Sequence, residues 1–289
     1  MGEAFVEVEA CGPWWNSRGC ENGRSNPMVT GVLPLALEEA TKTIQSFLLT
    51  GKEYVCVMTL HEDVDENRLR NTIDEFVGDI YQKPPVRAAV KREVRKRRIY
   101  SISDVEVQGR QVLFRASCQA GTYIRKLVYD MGEVLEVGAH MRELRRVRAG
   151  AFNEDESFTL YDVLKLSQAG PEEREDLTRR IVRPMETAFE FVPKITIRDS
   201  AVSAICHGAD LAVPGVVRLG DGIRQSGSIA IFTLKGELVA LSRALMSSEQ
   251  IMKEERGLAA KTVRVVMPVD TYPRMWRTKT SRVEVAPPS

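Results

Sequence analysis

Tyr123 and Arg125 stand two residues apart just behind the turn Gln119-Ala120-Gly121, and together they offer an aromatic face and a permanent cation. Ahead of them, Val112, Phe114 and Ala116 alternate with polar neighbours as in a half-buried strand. Behind them, Leu127, Met131, Val134 and Leu135 recur at helical spacing, with Thr122 placed to cap. A strand feeding a helix through a tight turn would hold both side chains in the helix's first turn. A rigid strand end of this kind projects the ring and the cation toward the same opening. A plainer reading stays open on these residues alone: an Arg paired with a surface carboxylate beside a core Tyr.

The charges around that unit are arranged rather than abundant. Lys and Arg number 41 and Asp and Glu 40, so the net charge of +1 selects no polyanionic partner. Distribution says more. Lys91, Arg92, Arg95, Lys96, Arg97 and Arg98 fall within one run, Lys-Arg-Glu-Val-Arg-Lys-Arg-Arg, and Arg142, Arg145, Arg146 and Arg148 form a second cluster. A solvated face or a sorting signal would explain such a run, but two clusters flanking the strand and helix predict a phosphate-binding groove.

Other chemistries find little support. The five cysteines, at 11, 20, 56, 118 and 206, are odd in number and form no CxxC pair, so neither a disulfide framework nor a zinc site is indicated. The three histidines lie far apart. With no run of 18 apolar residues and no signal-peptide pattern, the expectation is a soluble, cytoplasmic chain without membrane contact. A length of 289 residues suggests two domains.

Ala120-Gly121-Thr122-Tyr123-Ile124-Arg125, followed by Val137-Gly138-Ala139-His140-Met141 and by Glu143-Leu144-Arg145-Arg146-Val147-Arg148, closely resembles motif III of the TruB family of pseudouridine synthases. The likeness is strongest to the archaeal catalytic subunit of box H/ACA ribonucleoproteins, the dyskerin branch of that family. Similar matches run from Val29-Thr30-Gly31-Val32-Leu33-Pro34 to Asp270-Thr271-Tyr272-Pro273, and the resemblance fails over the first 27 residues.

What the resemblance implies is specific. The enzyme would flip a uridine from its stack and pack it against an aromatic ring, Tyr54 or Tyr123. A carboxylate would then act on the nucleotide through a covalent adduct, which splits one hard step into easier ones. Arg125 would pair with that carboxylate and keep it ionised, and Leu144 would wall the pocket. No metal or organic cofactor is implied. The implied partners are guide RNA, substrate rRNA or tRNA, and the small core proteins of the H/ACA particle.

One position departs from the pattern. The family's Gly-Thr-Leu-Asp-Pro, whose Asp is the nucleophile, is here Gly23-Arg24-Ser25-Asn26-Pro27. An amide carries no negative charge and is a poor nucleophile, so the chain as written is expected to bind RNA and fail at the chemical step. Two explanations stand: a frame or start error upstream of Pro27, which is preferred because Tyr54, Tyr123, Arg125 and Leu144 are intact, or a non-catalytic RNA-binding scaffold.

The predicted architecture is α+β: a mixed, largely antiparallel sheet with flanking helices, then a small PUA-like β-barrel. Residues 1–27 are turn-rich and read as loop or disorder. Residues 28–193 form the synthase domain, lacking its N-terminal part; 194–272 the RNA-binding PUA domain; 273–289 a flexible tail. Within them the spacing predicts a helix after Pro34 to Leu49, a strand over 53–60, a helix over 65–78, and strands over 99–107 and 112–117. Residues 153–193 read as acidic and helical, with Thr159 capping and Pro184 opening a further helix. Short strands follow at 195–197, 213–219, 229–233, 238–242 and 262–267, with a helix capped by Asp199 and closed by Gly208. Lys235-Gly236 is a hairpin turn.

Overall fold

The computed structural model describes residues 4–10, 29–84, 91 and 93–274, so Asn26, Arg92 and nearly all of the predicted tail lie outside the described residues. The chain divides into two compact units, Met1–Phe191 and Val192–Ser289.

The first unit begins with β1 (Ala4–Ala10) and β2 (Val29–Leu37), then a 3-10 turn that runs into α1 (Ile44–Phe47). Next come β3 (Lys52–Leu60), α2 (Glu66–Glu75), β4 (Gly78–Gln82), β5 (Arg95–Gln108), β6 (Gln111–Cys118) and α3 (Ile124–Val134). It closes with β7 (Ala139–Ala149), β8 (Phe152–Asn153), α4 (Leu160–Gln168), α5 (Pro171–Ile181) and β9 (Val182–Pro184). The strands form one sheet in the order β4-β5-β6-β3-β7-β2-β1-β9, with β8 beside β7. Every pairing is antiparallel except that of β2 with β7. The mixed, largely antiparallel sheet expected from sequence is therefore present.

Period-two patterning explains the core. Cys56, Met58 and Leu60 of β3 and Val112, Phe114, Ala116 and Cys118 of β6 point to one face and are buried there. Against that face pack Ile124, Leu127, Val128 and Met131 of α3, with Leu69 and Ile73 of α2. Each such large side chain contributes roughly 1.5–3 kcal/mol on burial, so this helix is fixed to the sheet by its own stripe. Asp65 starts α2 by accepting the Arg68 amide N–H at 3.0 Å.

The parallel contact of β2 with β7 depends on Gly31. It lies opposite Arg146 with φ +99°, and a Cβ there would sit 2.1 Å from the Arg146 carbonyl oxygen. Only a residue without a side chain permits that approach.

Several expectations need correction. Residues 1–27 are not uniformly irregular: Ala4–Ala10 is a strand paired along its whole length with β2 and, from Ala4 to Val6, with β9. Its Ala-Phe-Val-Glu-Val-Glu-Ala alternation is short and was masked by the turn-rich residues after it. Leu33 to Leu37 do not open a helix. Leu33, Leu35 and Leu37 satisfy a period of two as well as a helical one, and backbone pairing with β1 decides for strand. Regular helix begins only at Ile44. β5 starts at Arg95 rather than near 99, so half of the basic run is strand. Thr122 is not the cap of α3; Tyr123 is, and the Thr122 hydroxyl donates instead to the Gln119 carbonyl at 2.7 Å. Asp199 is the first residue of its helix, after Arg198 as N-cap. Thr159, by contrast, caps α4 in a full capping box with Asp162.

The second unit contains β10 (Lys194–Ile197), α6 (Asp199–Cys206), β11 (Leu211–Ala212), β12 (Val216–Leu219), β13 (Ser228–Phe232), β14 (Leu238–Ala244), α7 (Ser248–Lys253) and β15 (Leu258–Val265). They make a near-barrel sheet in the order β11-β15-β14-β13-β10-β12 around its own core of Ile195, Ile197, Val202, Ile231 and Val239. Gly236, at φ +87°, turns the β13–β14 hairpin as expected.

Candidate active site

The site is built where β6 hands the chain to α3. After Cys118 the Gln119-Ala120-Gly121 turn leads to Tyr123, which caps the helix with extended dihedrals of φ −99° and ψ 101°. No side chain within the loop caps α3. The buried Gln82 at the end of β4 reaches Tyr123 from outside: its Oε1 accepts the Tyr123 N–H at 2.9 Å and its Nε2 donates to the Tyr123 carbonyl at 3.2 Å. Tyr123 itself is half-buried. Arg125, one residue into the helix, is exposed and has no hydrogen-bond or ion-pair partner among the described residues. No surface carboxylate among the described residues takes it up.

The basic strand is attached to the same turn. Arg98 and Gln119 exchange two bonds, the Gln119 N–H donating to the Arg98 carbonyl at 2.8 Å and the Arg98 N–H to the Gln119 Oε1 at 3.2 Å. Arg97 Nε donates to the Gly121 carbonyl at 3.2 Å. Of the other predicted phosphate ligands, Lys91 and Lys96 are exposed and Arg95 is half-buried; Lys96 pairs with Asp79 at 2.9 Å across the β4–β5 ribbon. The structure thus ties Arg97 and Arg98 of the first basic cluster to the strand–helix turn.

The second cluster behaves differently. Arg145 binds Glu154 through Nε at 2.6 Å, and Arg146 Nε donates to the Val32 carbonyl at 2.7 Å. Arg148 donates to Glu53 at 3.0 Å and to the Ser117 hydroxyl at 3.3 Å. These guanidiniums hold the sheet together. Glu53, with a side chain 19% exposed, also takes the Arg115 guanidinium at 2.9 Å. Burial pushes the Glu53 carboxyl up, but the hydrogen bonds from Arg115 and Arg148 outweigh it and leave the group below its usual range.

Tyr54 and Leu144 lie on the α3 side of the sheet. Tyr54 is half-buried on β3 between Ala116 of β6 and Arg146 of β7. Leu144, 8% exposed, stands opposite Cys56 on β3 and Val29 on β2. Since Tyr54 and Cys56 share a face, so do Tyr54 and Leu144. The register Tyr54↔Ala116 places Tyr54 at the same end of the sheet from which β6 enters the Tyr123 turn. Val29, the partner of Leu144, follows Asn26 by three residues in the chain.

Gln82 and Glu53 were missed by sequence reasoning. Each acts on a residue far along the chain, and neither local periodicity nor spacing carries that signal. The buried thiols of Cys56 and Cys118 are pushed up by burial to about 12 and about 11, so they are inert core groups.

Half-buried Tyr54 and Tyr123, the buried Leu144 and a guanidinium without a partner among the described residues thus belong to one sheet-and-helix unit that also carries a basic ribbon. Family models match along the chain: the TruB family pseudouridylate synthase N-terminal domain over residues 21–68 and 61–124, the tRNA pseudouridylate synthase B C-terminal domain over 125–190, and the PUA domain over 193–266. The chain belongs to the TruB family of pseudouridine synthases, which are isomerases, and carries a PUA domain. The match starts at residue 21, so Asn26 lies inside it, whereas the motif resemblance fails over the first 27 residues.

The chain is 53% identical over 265 residues to the "Probable tRNA pseudouridine synthase B" of Methanopyrus kandleri, covering 91% of this chain and 78% of that protein. It is 49% identical over 262 residues to the protein of the same name from Thermococcus gammatolerans, covering 90% and 78%. Among solved structures, a Cbf5-Nop10-Gar1 complex aligns with TM-score 0.87 and 44% identity, covering 94% of this chain and 87% of that one. An H/ACA ribonucleoprotein bound to a substrate RNA containing 2'-deoxyuridine aligns with TM-score 0.83 and 41% identity, covering 94% and 88%.

Proposed function

We propose that the site of this chain is built for RNA uridine isomerisation to pseudouridine, in rRNA, tRNA or both, within a cytoplasmic guide-RNA particle of the box H/ACA kind that includes small core proteins. The observation that supports the reading is that Tyr54 and Leu144 share the α3 face of the sheet, with Tyr54 at the end from which β6 enters the Tyr123 turn and Arg125 without a protein partner among the described residues. The similar structures, a Cbf5-Nop10-Gar1 complex and an H/ACA ribonucleoprotein bound to substrate RNA, support the partners.

In this reading the uridine leaves its stack, its ring packs on Tyr54 or Tyr123, and Leu144 closes the apolar side. Position 26 would bring the nucleophile. A carboxylate there bonds the ribose C1′ as the C1′–N1 bond breaks, the freed uracil anion turns, C5 bonds C1′ as the carboxylate leaves, and the C5 proton is lost to solvent while N1 takes one up. Arg125 offers the counter-charge that keeps such a carboxylate ionised. Position 26 together with residues 28–193 carries this chemistry, residues 194–272 bind RNA, and the cations from Lys91 to Arg98 contact phosphates.

With Asn26 in place of the carboxylate, the chain binds RNA without turnover. A second reading, a binding-only RNA scaffold, is favoured by that one residue. Purified chain assembled with guide RNA, substrate and core proteins should retain substrate RNA and form no pseudouridine. Failure to bind RNA would remove both readings.

A further inference from the structure

Gln82 is 2% exposed, and among the described residues its amide bonds one backbone position alone. Its Oε1 accepts the Tyr123 N–H at 2.9 Å while its Nε2 donates to the Tyr123 carbonyl at 3.2 Å. One bond would leave the peptide free to rotate about it; two from a single planar amide fix both position and angle. The Tyr123 carbonyl already accepts the Lys126 and Leu127 N–H groups at 3.0 Å each, so Gln82 adds a third donor where the helix begins.

A bond that served helix stability alone could come from the loop. Thr122 stands next to the cap, but its hydroxyl bonds Gln119 instead. The partner chosen lies 41 residues away. It closes β4, an edge strand of the sheet that pairs with β5 alone among the described residues. Lys83 and the buried Pro84 follow directly, and β5 carries Arg95, Lys96, Arg97 and Arg98.

We propose that Gln82 is a positioning residue for the target base: it holds Tyr123 at the angle at which its ring meets a flipped uridine, and it ties that angle to the basic β4–β5 ribbon. The proposal rests on the pseudouridine reading above. Phosphate contacts along the ribbon would reach the pocket through two hydrogen bonds.

The test uses the full chain and its Gln82→Met and Gln82→Glu variants with two stem-loop RNAs, one with a single uridine in the loop and one abasic at that nucleotide. Affinities are read by fluorescence anisotropy, with thermal melts to confirm folding. The unchanged chain should prefer the uridine RNA. Gln82→Met should lose at least about fivefold of that preference, with the abasic RNA bound within about twofold of the unchanged chain. Gln82→Glu supplies the readout that a merely structural role would not move, and it stands alone should Gln82→Met not fold. As a carboxylate it accepts from Tyr123 but cannot donate; once protonated it does both. Its preference should therefore recover as pH falls from about 8 to about 5.5, the range a buried carboxyl reaches, while that of the unchanged chain stays flat. Equal loss for both RNAs in Gln82→Met, or a pH-independent Gln82→Glu, overturns the positioning role and leaves the pseudouridine reading standing. An unchanged chain that does not distinguish the two RNAs overturns both.

Discussion

Arg97 Nε donates to the Gly121 carbonyl at 3.2 Å, which joins the basic strand to the turn that presents Tyr123 and Arg125. The side chain of Arg97 also lies 3.2 Å from where a Cβ on Gly121 would stand, at φ +77°. On the proposed reading, phosphate binding and base handling meet at this turn.

Replacing Arg95, Arg97 and Arg98 by Ala should weaken RNA affinity and reduce the steepness of its salt dependence. Each phosphate contact to single-stranded RNA contributes a slope of about 0.7, so three losses amount to roughly two units in a titration of affinity against salt. Replacing Arg145 and Arg148 instead should leave the slope nearly unchanged and lower stability, because both guanidiniums are bound to Glu154 and Glu53 within the protein. A slope that falls equally for both sets would contradict the separation of the two clusters.

Gly31→Ala should cost upwards of about 3 kcal/mol in denaturant unfolding, since its Cβ would collide with the Arg146 carbonyl at a strained backbone angle. The parallel contact that sets Val29 against Leu144 would open with it. Loss of less than about 1 kcal/mol would mean that β2 and β7 are not held this close.

Much of this was legible in the sequence, and what was not has a common cause. The alternation in β6 and the helical stripe of α3 are local, and both elements stand where the pattern placed them. Tyr54 and Leu144 were named through resemblance; their shared face follows only from the β3–β7 register. Arg145, Arg146 and Arg148 read as a phosphate-binding cluster because their partners Glu154, Val32 and Glu53 sit on other strands or beyond a turn. The apolar run after Pro34 fits two periods, and pairing with a strand at Ala4–Ala10 decided between them. Sequence reading fails here wherever a residue's role depends on a distant strand.

Glu53 provides a pH signature. Its folded carboxyl titrates below the ordinary value because Arg115 and Arg148 outweigh burial. A depressed folded value gives stability that is complete above the unfolded pKa, roughly 4.3, and is lost as pH falls through the folded one. Glu53→Gln should therefore destabilise by about 1–2 kcal/mol at neutral pH, with the difference from the unchanged chain shrinking toward zero below about pH 4. A difference that is constant from pH 7 to pH 3 would remove the ion-pair explanation.

The thiols of Cys56 and Cys118, raised to about 12 and about 11, should resist iodoacetamide at pH 8 in the folded protein and react on unfolding. Peptide mapping by mass spectrometry reads both sites. Rapid native labelling at either would show that the core face of β3 and β6 opens to solvent.

The most direct measurement concerns position 26. Single-turnover pseudouridine formation should be compared for the unchanged chain and Asn26→Asp, each assembled with guide RNA, substrate RNA and core proteins and each shown to bind substrate equally. The expected result is formation by Asn26→Asp at least about a thousandfold faster than by the unchanged chain, about 4 kcal/mol in the barrier, as loss of a nucleophile requires. Equal rates in the two proteins, or no product from Asn26→Asp despite tight binding, would contradict the assignment of the nucleophile's place to this residue.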